Sequence, residues 1–151
     1  MNREDLMLEL NGKFPSLSPD DNPRNPGVFV DSTEFLPFLT YLRKEANPPY
    51  DFLFCLTCVD WKDHLLMVYH LRSKANRDEL VVKVKLSNRE NPEIESLSGL
   101  WRTAEFHERE VFDLFGVKFL NHPDLRRLFL DENWEGFPLR KDYQDENMIE
   151  L

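Results

Sequence analysis

Phe52 to Leu86 reads FLFCLTCVDWKDHLLMVYHLRSKANRDELVVKVKL, and its periodicity decides the fold class. Phe52 to Trp61 is apolar on both alternations. Phe52, Phe54, Leu56 and Cys58 share one side; Leu53, Cys55, Thr57 and Val59 share the other. A strand apolar on both faces is expected at the centre of a sheet. Leu65 to Leu71 alternates more weakly, with His64 and His70 on the side of Leu66 and Val68. Leu80 to Leu86 alternates cleanly, with Leu80, Val82, Val84 and Leu86 inward and Lys83 and Lys85 outward. Trp61-Lys62-Asp63-His64 reads as a tight hairpin turn and Ser73 to Asp78 as a longer one. The pattern predicts an α+β domain: a small antiparallel sheet with helices packed on one face.

Upstream, Asn2 to Asn11 predicts a short helix, with Leu6, Met7, Leu10 and Phe14 at helical spacing and Gly12 as its stop. KFPSLSPDDNPRNPG then holds four of the ten prolines and predicts irregular chain, because proline lacks a backbone donor. Gly27 to Val30 reads as a brief strand. Asp31, Ser32 and Thr33 offer caps for a helix whose apolar face is Phe35, Phe38, Leu39, Leu42 and Ala46. Pro37 is expected to delay or bend that helix, and Asn47-Pro48-Pro49 to end it.

Downstream, Asn88 to Pro92 predicts a loop and Ile94 to Gly99 a single helical turn. Leu100 to Phe115 reads as the longest helix, closed by Gly116. Beyond it no periodicity persists. His122-Pro123-Asp124, Trp134-Glu135-Gly136 and Phe137-Pro138 are turn chemistry. The expected organisation is an α/β domain over residues 1–120 and an extended interface segment over 121–151. The last eight residues, QDENMIEL, read as a mobile acidic tail.

A chain of 151 residues defaults to one domain and can bury roughly two-thirds of its unfolded surface. Net charge is −9 and the pI is near 4.9. That balance opposes nucleic-acid binding, which needs a basic field, and adhesion to anionic lipid by charge. No apolar run approaches the ~18 residues of a membrane span. MNREDLMLEL lacks a signal-peptide core and the look of a transit peptide, so an intracellular, soluble chain is expected, of bacterial origin.

The residues with chemistry crowd into Trp101 to Tyr143, WRTAEFHEREVFDLFGVKFLNHPDLRRLFLDENWEGFPLRKDY. On the long helix, Ala104, Glu108, Val111 and Phe115 share one face, which sets Glu108 among apolar neighbours. Glu105 and Arg109 are four apart, as are Arg109 and Asp113; exposed pairs of this kind contribute only about 0.3–0.5 kcal/mol. Glu108, Arg109, Glu110 and Asp113 point in several directions, so some must meet partners from elsewhere. Arg126, Arg127, Arg140 and Lys141 are the candidates, in an ion-pair network pinning the chain's end to the helix. His107 and Glu108 make a poor acid–base dyad, because adjacent helical residues diverge. Cys55 and Cys58 point to opposite faces of a strand, and no second pair completes a zinc site. His64, His70, His107 and His122 show no ligand spacing, and no phosphate loop or nucleophile motif is present. Leu125, Leu128, Phe129, Leu130, Trp134, Phe137, Leu139 and Tyr143 are too apolar to stand in water, which points to a binding subunit rather than a catalytic one.

Three linked motifs then stand in one order: Glu108-Arg109-Glu110-x-x-Asp113-Leu114-Phe115-Gly116-Val117-x-Phe119, His122-Pro123-Asp124-Leu125-Arg126-Arg127-Leu128, and Trp134-Glu135-Gly136-x-Pro138-Leu139-Arg140-Lys141-Asp142-Tyr143. They closely resemble the C subunit of respiratory complex I, the 30 kDa subunit family of NADH:quinone oxidoreductase. Asp51-Phe52-Leu53, Thr57-x-Val59-Asp60 and Val68-Tyr69-His70-Leu71 agree with it upstream, from about Val28. Phe137 stands where the family commonly has His, Asn133 where it has Asp, and Gln144 where it has Pro.

The resemblance implies a non-catalytic α/β subunit of the peripheral arm, on the cytoplasmic side of a bacterial inner membrane. It implies no cofactor, metal or nucleic acid on this chain; FMN, iron–sulfur clusters and quinone belong to the assembled complex. Its expected partners are the quinone-site large subunit, of D type, and other peripheral-arm subunits, with membrane contact only through the complex. The equivalent subunit of a ferredoxin-dependent or hydrogenase-type relative is the alternative. The expected interface residues are Glu108, Arg109, Asp113, Asp124, Arg126, Arg127, Trp134, Arg140, Lys141 and Tyr143.

Overall fold

The computed structural model describes residues 3–20 and 27–143; the expected acidic tail lies outside them. In chain order the elements are α1 (Arg3–Lys13), β1 (Ser18–Asp20), β2 (Gly27–Phe29), α2 (Ser32–Lys44), β3 (Phe52–Asp60), β4 (Leu65–Arg72), β5 (Glu79–Leu86), β6 (Glu93–Glu95), α3 (Ala104–Phe115) and β7 (Lys118–Leu120).

The three long strands form the expected antiparallel meander, and five strands lie in the order β1-β2-β5-β4-β3. The sheet is mixed rather than purely antiparallel: β2 runs parallel to β5. Direction follows from counting. The chain turns back after β2 through α2 and again into β3, then reverses twice more in the meander, so β5 points the way β2 does. Gly27 sits against Val81 in that pair, where a Cβ would come within 2.2 Å of the Val81 carbonyl oxygen. Only glycine permits so close an approach.

β3 is an edge strand, not the central one. A register shift between Leu53 and Cys55 breaks its alternation, so Leu53, Leu56, Cys58 and Asp60 are buried. A bulge places an extra residue on one strand and re-aims the residues after it. Phe54 stays on the opposite side, with its ring centroid 5.8 Å from Phe52 and 5.6 Å from His70. Apolar residues on both faces here mark a strand packed on α3 and carrying an aromatic cluster behind. Cys58 belongs to the core, while Cys55 pairs with His70 and is half-buried.

α2 supplies Phe35, Phe38, Leu39 and Leu42 to the core, where they meet Leu65, Met67, Tyr69, Leu71, Val82 and Val84. It runs on through Pro37, which is exposed. α1 likewise continues past Gly12 to Lys13. The opposite face of the sheet holds a small apolar strip, Leu66, Val68 and Val81 beside Phe29.

Two further differences concern the approach to the site. Ile94 lies in β6, which pairs in parallel with β7, and not in a helical turn. Strands of three residues are too short to show a period. α3 begins at Ala104, four residues later than expected. The preceding residues are claimed by other bonds: the Leu100 and Trp101 N–H groups donate to Leu97 O, and the buried Trp101 indole donates to Tyr50 O at 3.2 Å. The Thr103 hydroxyl donates to Leu53 O on β3 instead of capping its helix. α3 ends as expected at Gly116, whose φ of 79° is left-handed. Among the described residues no helix is long and apolar enough to cross a membrane.

A candidate docking surface around the third helix

Three charged side chains of α3 are buried: Glu108, Arg109 and Asp113. Each is held by irregular backbone. The Glu108 carboxylate accepts the Ser96 hydroxyl at 2.6 Å and the Leu97 N–H at 2.9 Å, so it caps the turn after β6. Burial pushes its pKa up from 4.5 to about 7, against the lowering effect of those two bonds. His122 Nε2 lies 3.9 Å from Glu108 Oε1. Its Nδ1 accepts the Asp124 N–H, and its Nε2 faces the Glu105 carbonyl oxygen at 3.0 Å. A carbonyl only accepts, so Nε2 is the donor in that contact.

Arg109 does not pair with Glu105 or Asp113 along its own helix. Its Nε donates to Arg126 O and its Nη2 to Arg127 O, both at 3.1 Å. The fork thus grips two consecutive carbonyls of the C-terminal segment. One turn later, Asp113 Oδ2 accepts the N–H groups of Leu128, Phe129 and Leu130 at 3.3, 2.8 and 3.1 Å. Its Oδ1 meets Arg127 Nη1 at 3.2 Å. Arg127 reaches on to Gly136 O at 2.9 Å and lies over the Phe137 ring.

The segment continues along the end of α3. The Leu139 N–H donates to Leu114 O, and Arg140 Nε donates to Phe115 O at 2.6 Å. Phe137 packs beside Phe112, under the guanidinium groups of both Arg127 and Arg140. Finally the Lys141 N–H donates to Asp60 Oδ2 at 2.8 Å. Asp60, buried at the end of β3, is also gripped by Arg89 and by the Lys62 N–H. The Arg89 guanidinium holds the Asp60 carboxyl well below the usual carboxylate range, despite desolvation. Arg89 adds Asp142 at 3.6 Å.

The ten residues singled out by the sequence therefore divide. Glu108, Arg109, Asp113, Arg127 and Arg140 turn inward and bind this chain's own backbone or carboxylates. The Tyr143 ring packs over Gly136. Asp124 and Arg126 are exposed and paired with each other at 3.0 Å. Lys141 is exposed, and Trp134 is 39% exposed. Asp60 and Arg89 are anchors that sequence reasoning missed; the signals for Asp60 were an acid closing an apolar strand and its place in the Thr57-x-Val59-Asp60 match. Of the apolar residues expected to cover something, Leu125 packs on the core and Phe137 on Phe112. Phe129 and Leu139 remain 67% and 53% exposed, on the same segment as Trp134. Phe106 on α3 is 59% exposed and sits under the Arg109 guanidinium. Polar bonds hold this segment to the body, while much of its apolar surface faces out. Such a surface is suited to a partner protein.

Residues 28–148 match the family described as the respiratory-chain NADH dehydrogenase 30 Kd subunit. The chain belongs to that family. It is 39% identical over 143 residues to the C subunit of NADH-quinone oxidoreductase from Moorella thermoacetica, a match that spans 93% of this chain and 95% of that one. It is 51% identical over 105 residues to the C/D subunit of NADH-quinone oxidoreductase from Phocaeicola vulgatus, a match that spans 69% of this chain but only 20% of that protein. The 30 Kd subunit fold is shared with a chain of the membrane-bound sulfane sulfur reductase, an archaeal respiratory membrane complex. There the TM-score is 0.78 at 22% identity, over 93% of this chain and 85% of that one. All three motifs around α3 lie inside the matched residues.

Proposed function

We propose that this chain is a non-catalytic peripheral-arm subunit of a proton-translocating NADH:quinone oxidoreductase, and that it docks on the quinone-site subunit of D type. The observation that carries the reading is the relative from Phocaeicola vulgatus, whose name joins the C and D subunits in one protein. Two chains that function as one polypeptide elsewhere have every reason to touch when separate, since a linker works only across neighbouring surfaces. The segment 121–143 supports the docking part. It is belted to α3 by Arg109, Asp113, Arg127 and Arg140, yet leaves Phe129, Trp134 and Leu139 outward.

In this reading the charged groups of α3 are structural. They build the platform; FMN, iron–sulfur clusters and quinone are held by other subunits, and the chain meets the membrane only through them, on its cytoplasmic side. Identity to proteins named NADH-quinone oxidoreductase favours NADH as the donor over ferredoxin. The test is deletion of the gene in its host, followed by affinity purification through a tagged copy. Membranes of the deletion strain should lose inhibitor-sensitive NADH:quinone activity, and the tagged chain should bring down the D-type and flavin-binding subunits. Undiminished activity in the deletion strain, or recovery of an unrelated set of proteins, would sink the proposal.

A further inference from the structure

Within the C-terminal segment the charges are sorted by direction. Arg127 is spent on Asp113 and Gly136 O, Arg140 on Phe115 O, and Arg109 of α3 on the carbonyls of Arg126 and Arg127, while Arg126 and Lys141 stay exposed on either side of the stretch 128–138. Residues 128–138, LFLDENWEGFP, contain Asp131, Glu132 and Glu135 and no Lys, Arg or His. All three carboxylates are exposed, and none has an ion pair or side-chain hydrogen bond among the described residues. Among them stand Phe129 at 67% exposure and Trp134 at 39%. The loop is shaped: the Trp134 N–H donates to Asp131 O at 2.9 Å, and its root is tied to Asp113 through three N–H groups.

We infer that the loop 129–135 is an acidic, aromatic plug that seats in a basic, apolar-floored recess on the D-type subunit. This rests on the docking reading above and specifies its chemistry. Aromatic anchors ringed by charge are the pattern of a binding hot spot, in which rings fill a pocket and the rim excludes water. Three like charges without internal partners select a basic rim, and they oppose an anionic lipid surface. Arg127 and Arg140 are thereby removed from the contact: they hold the plug out, and the plug does the binding.

The experiment uses the tagged full chain expressed in the deletion strain, with recovery of the D-type subunit as readout. E132K/E135K and F129A/W134A are the two variants, and E45K, at the end of α2, is the control for a reversed exposed charge. All the substituted side chains are exposed, so melting temperatures should stay near wild type. Both plug variants should lose the D-type partner by about tenfold or more, the control none, and salt should weaken wild-type recovery. A photo-crosslinking residue at position 134 should label a Lys- or Arg-containing peptide of the D-type partner. Wild-type recovery by both plug variants, or labelling of an acidic surface, overturns the plug and leaves the docking reading standing. Failure of the wild-type chain itself to recover the D-type partner overturns the docking reading instead.

Discussion

The carboxylate of Asp113 lies 2.8 Å from the backbone N–H of Phe129, at the centre of three successive N–H groups that converge on one oxygen. A buried helical acid thus organises a stretch of chain that has no helix or strand of its own. The relationship inverts the expected hierarchy. The charged side chains of α3 do not decorate a finished helix; they are the scaffold on which residues 126–130 take their path.

Replacing Asp113 with Ala should therefore free the segment. Its carboxylate is fully buried and paired with Arg127, and breaking such a pair costs about 3–5 kcal/mol. Urea unfolding should show a loss of that size. Limited proteolysis should cut between residues 125 and 143 in the variant and spare them in the wild type. Equal cleavage of the two proteins would show that the segment is held by something else.

Glu108 gives a pH dependence of definite sign. Its folded pKa, raised by burial to about 7 from 4.5, means that the folded chain binds this proton more tightly than the unfolded one. The associated stability is fully present below the unfolded pKa and is lost as pH rises through about 7. Glu105, on the same helix, pushes in the same direction. Glu108→Gln keeps an acceptor for the Leu97 N–H and a donor for Ser96, and removes the charge. Its stability relative to wild type should rise between pH 5 and pH 8, by on the order of a few kcal/mol. Denaturant midpoints at four pH values would check this, and a flat difference would refute it.

Much of this fold was legible beforehand, for physical reasons that can be named. Leu80, Val82, Val84 and Leu86 alternate with lysines, so one face of β5 had to be inside. Gly116 ended α3 because its left-handed φ suits glycine. The parallel partner of β2 was hidden, because a three-residue strand carries no record of its neighbour. The bulge at Leu53 to Cys55 was hidden because β3 is apolar on both alternations, so a shift of phase leaves no trace in its pattern. In the candidate site, the burial of Glu108 followed from helical spacing. That the C-terminal arginines would pin the segment to the helix charges was also expected, and Arg127 does so at Asp113. That Arg140 and Arg109 would bind backbone carbonyls instead was not legible, since a long flexible side chain reaches either way and only the tertiary path of the carbonyls decides.

Asp60 gives a pH dependence of the opposite sign, at the acid end. Its folded pKa is depressed, chiefly by Arg89, so its contribution is present above the unfolded value of 3.8 and disappears as pH falls below it. Asp60→Asn should lower stability at pH 7 by about 2 kcal/mol and flatten the loss seen on acidification. Because the Lys141 N–H also binds Asp60, the same variant should raise amide exchange at residues 141–143 in hydrogen-exchange measurements at pH 7. Unchanged exchange there would separate Asp60 from the segment it is argued to anchor.

The close fit of Phe137 against the end of α3 gives a test of coupling. A Cβ at Gly116 would stand 2.6 Å from the Phe137 ring, on a residue whose φ is 79°. Gly116→Ala therefore suffers twice. The left-handed backbone alone costs about 1–2 kcal/mol with a side chain present, and the ring must leave its place beside Phe112 and beneath Arg127 and Arg140. Phe137→Ala removes the clash but leaves the backbone strain. In the Phe137→Ala background, Gly116→Ala should accordingly cost less than in the wild type, with a coupling of about 1 kcal/mol or more. A double-mutant cycle by urea unfolding reads it directly. Additive effects would mean that the ring yields freely, and that the segment's grip on α3 depends on Leu139, Arg140 and Asp113 without Phe137.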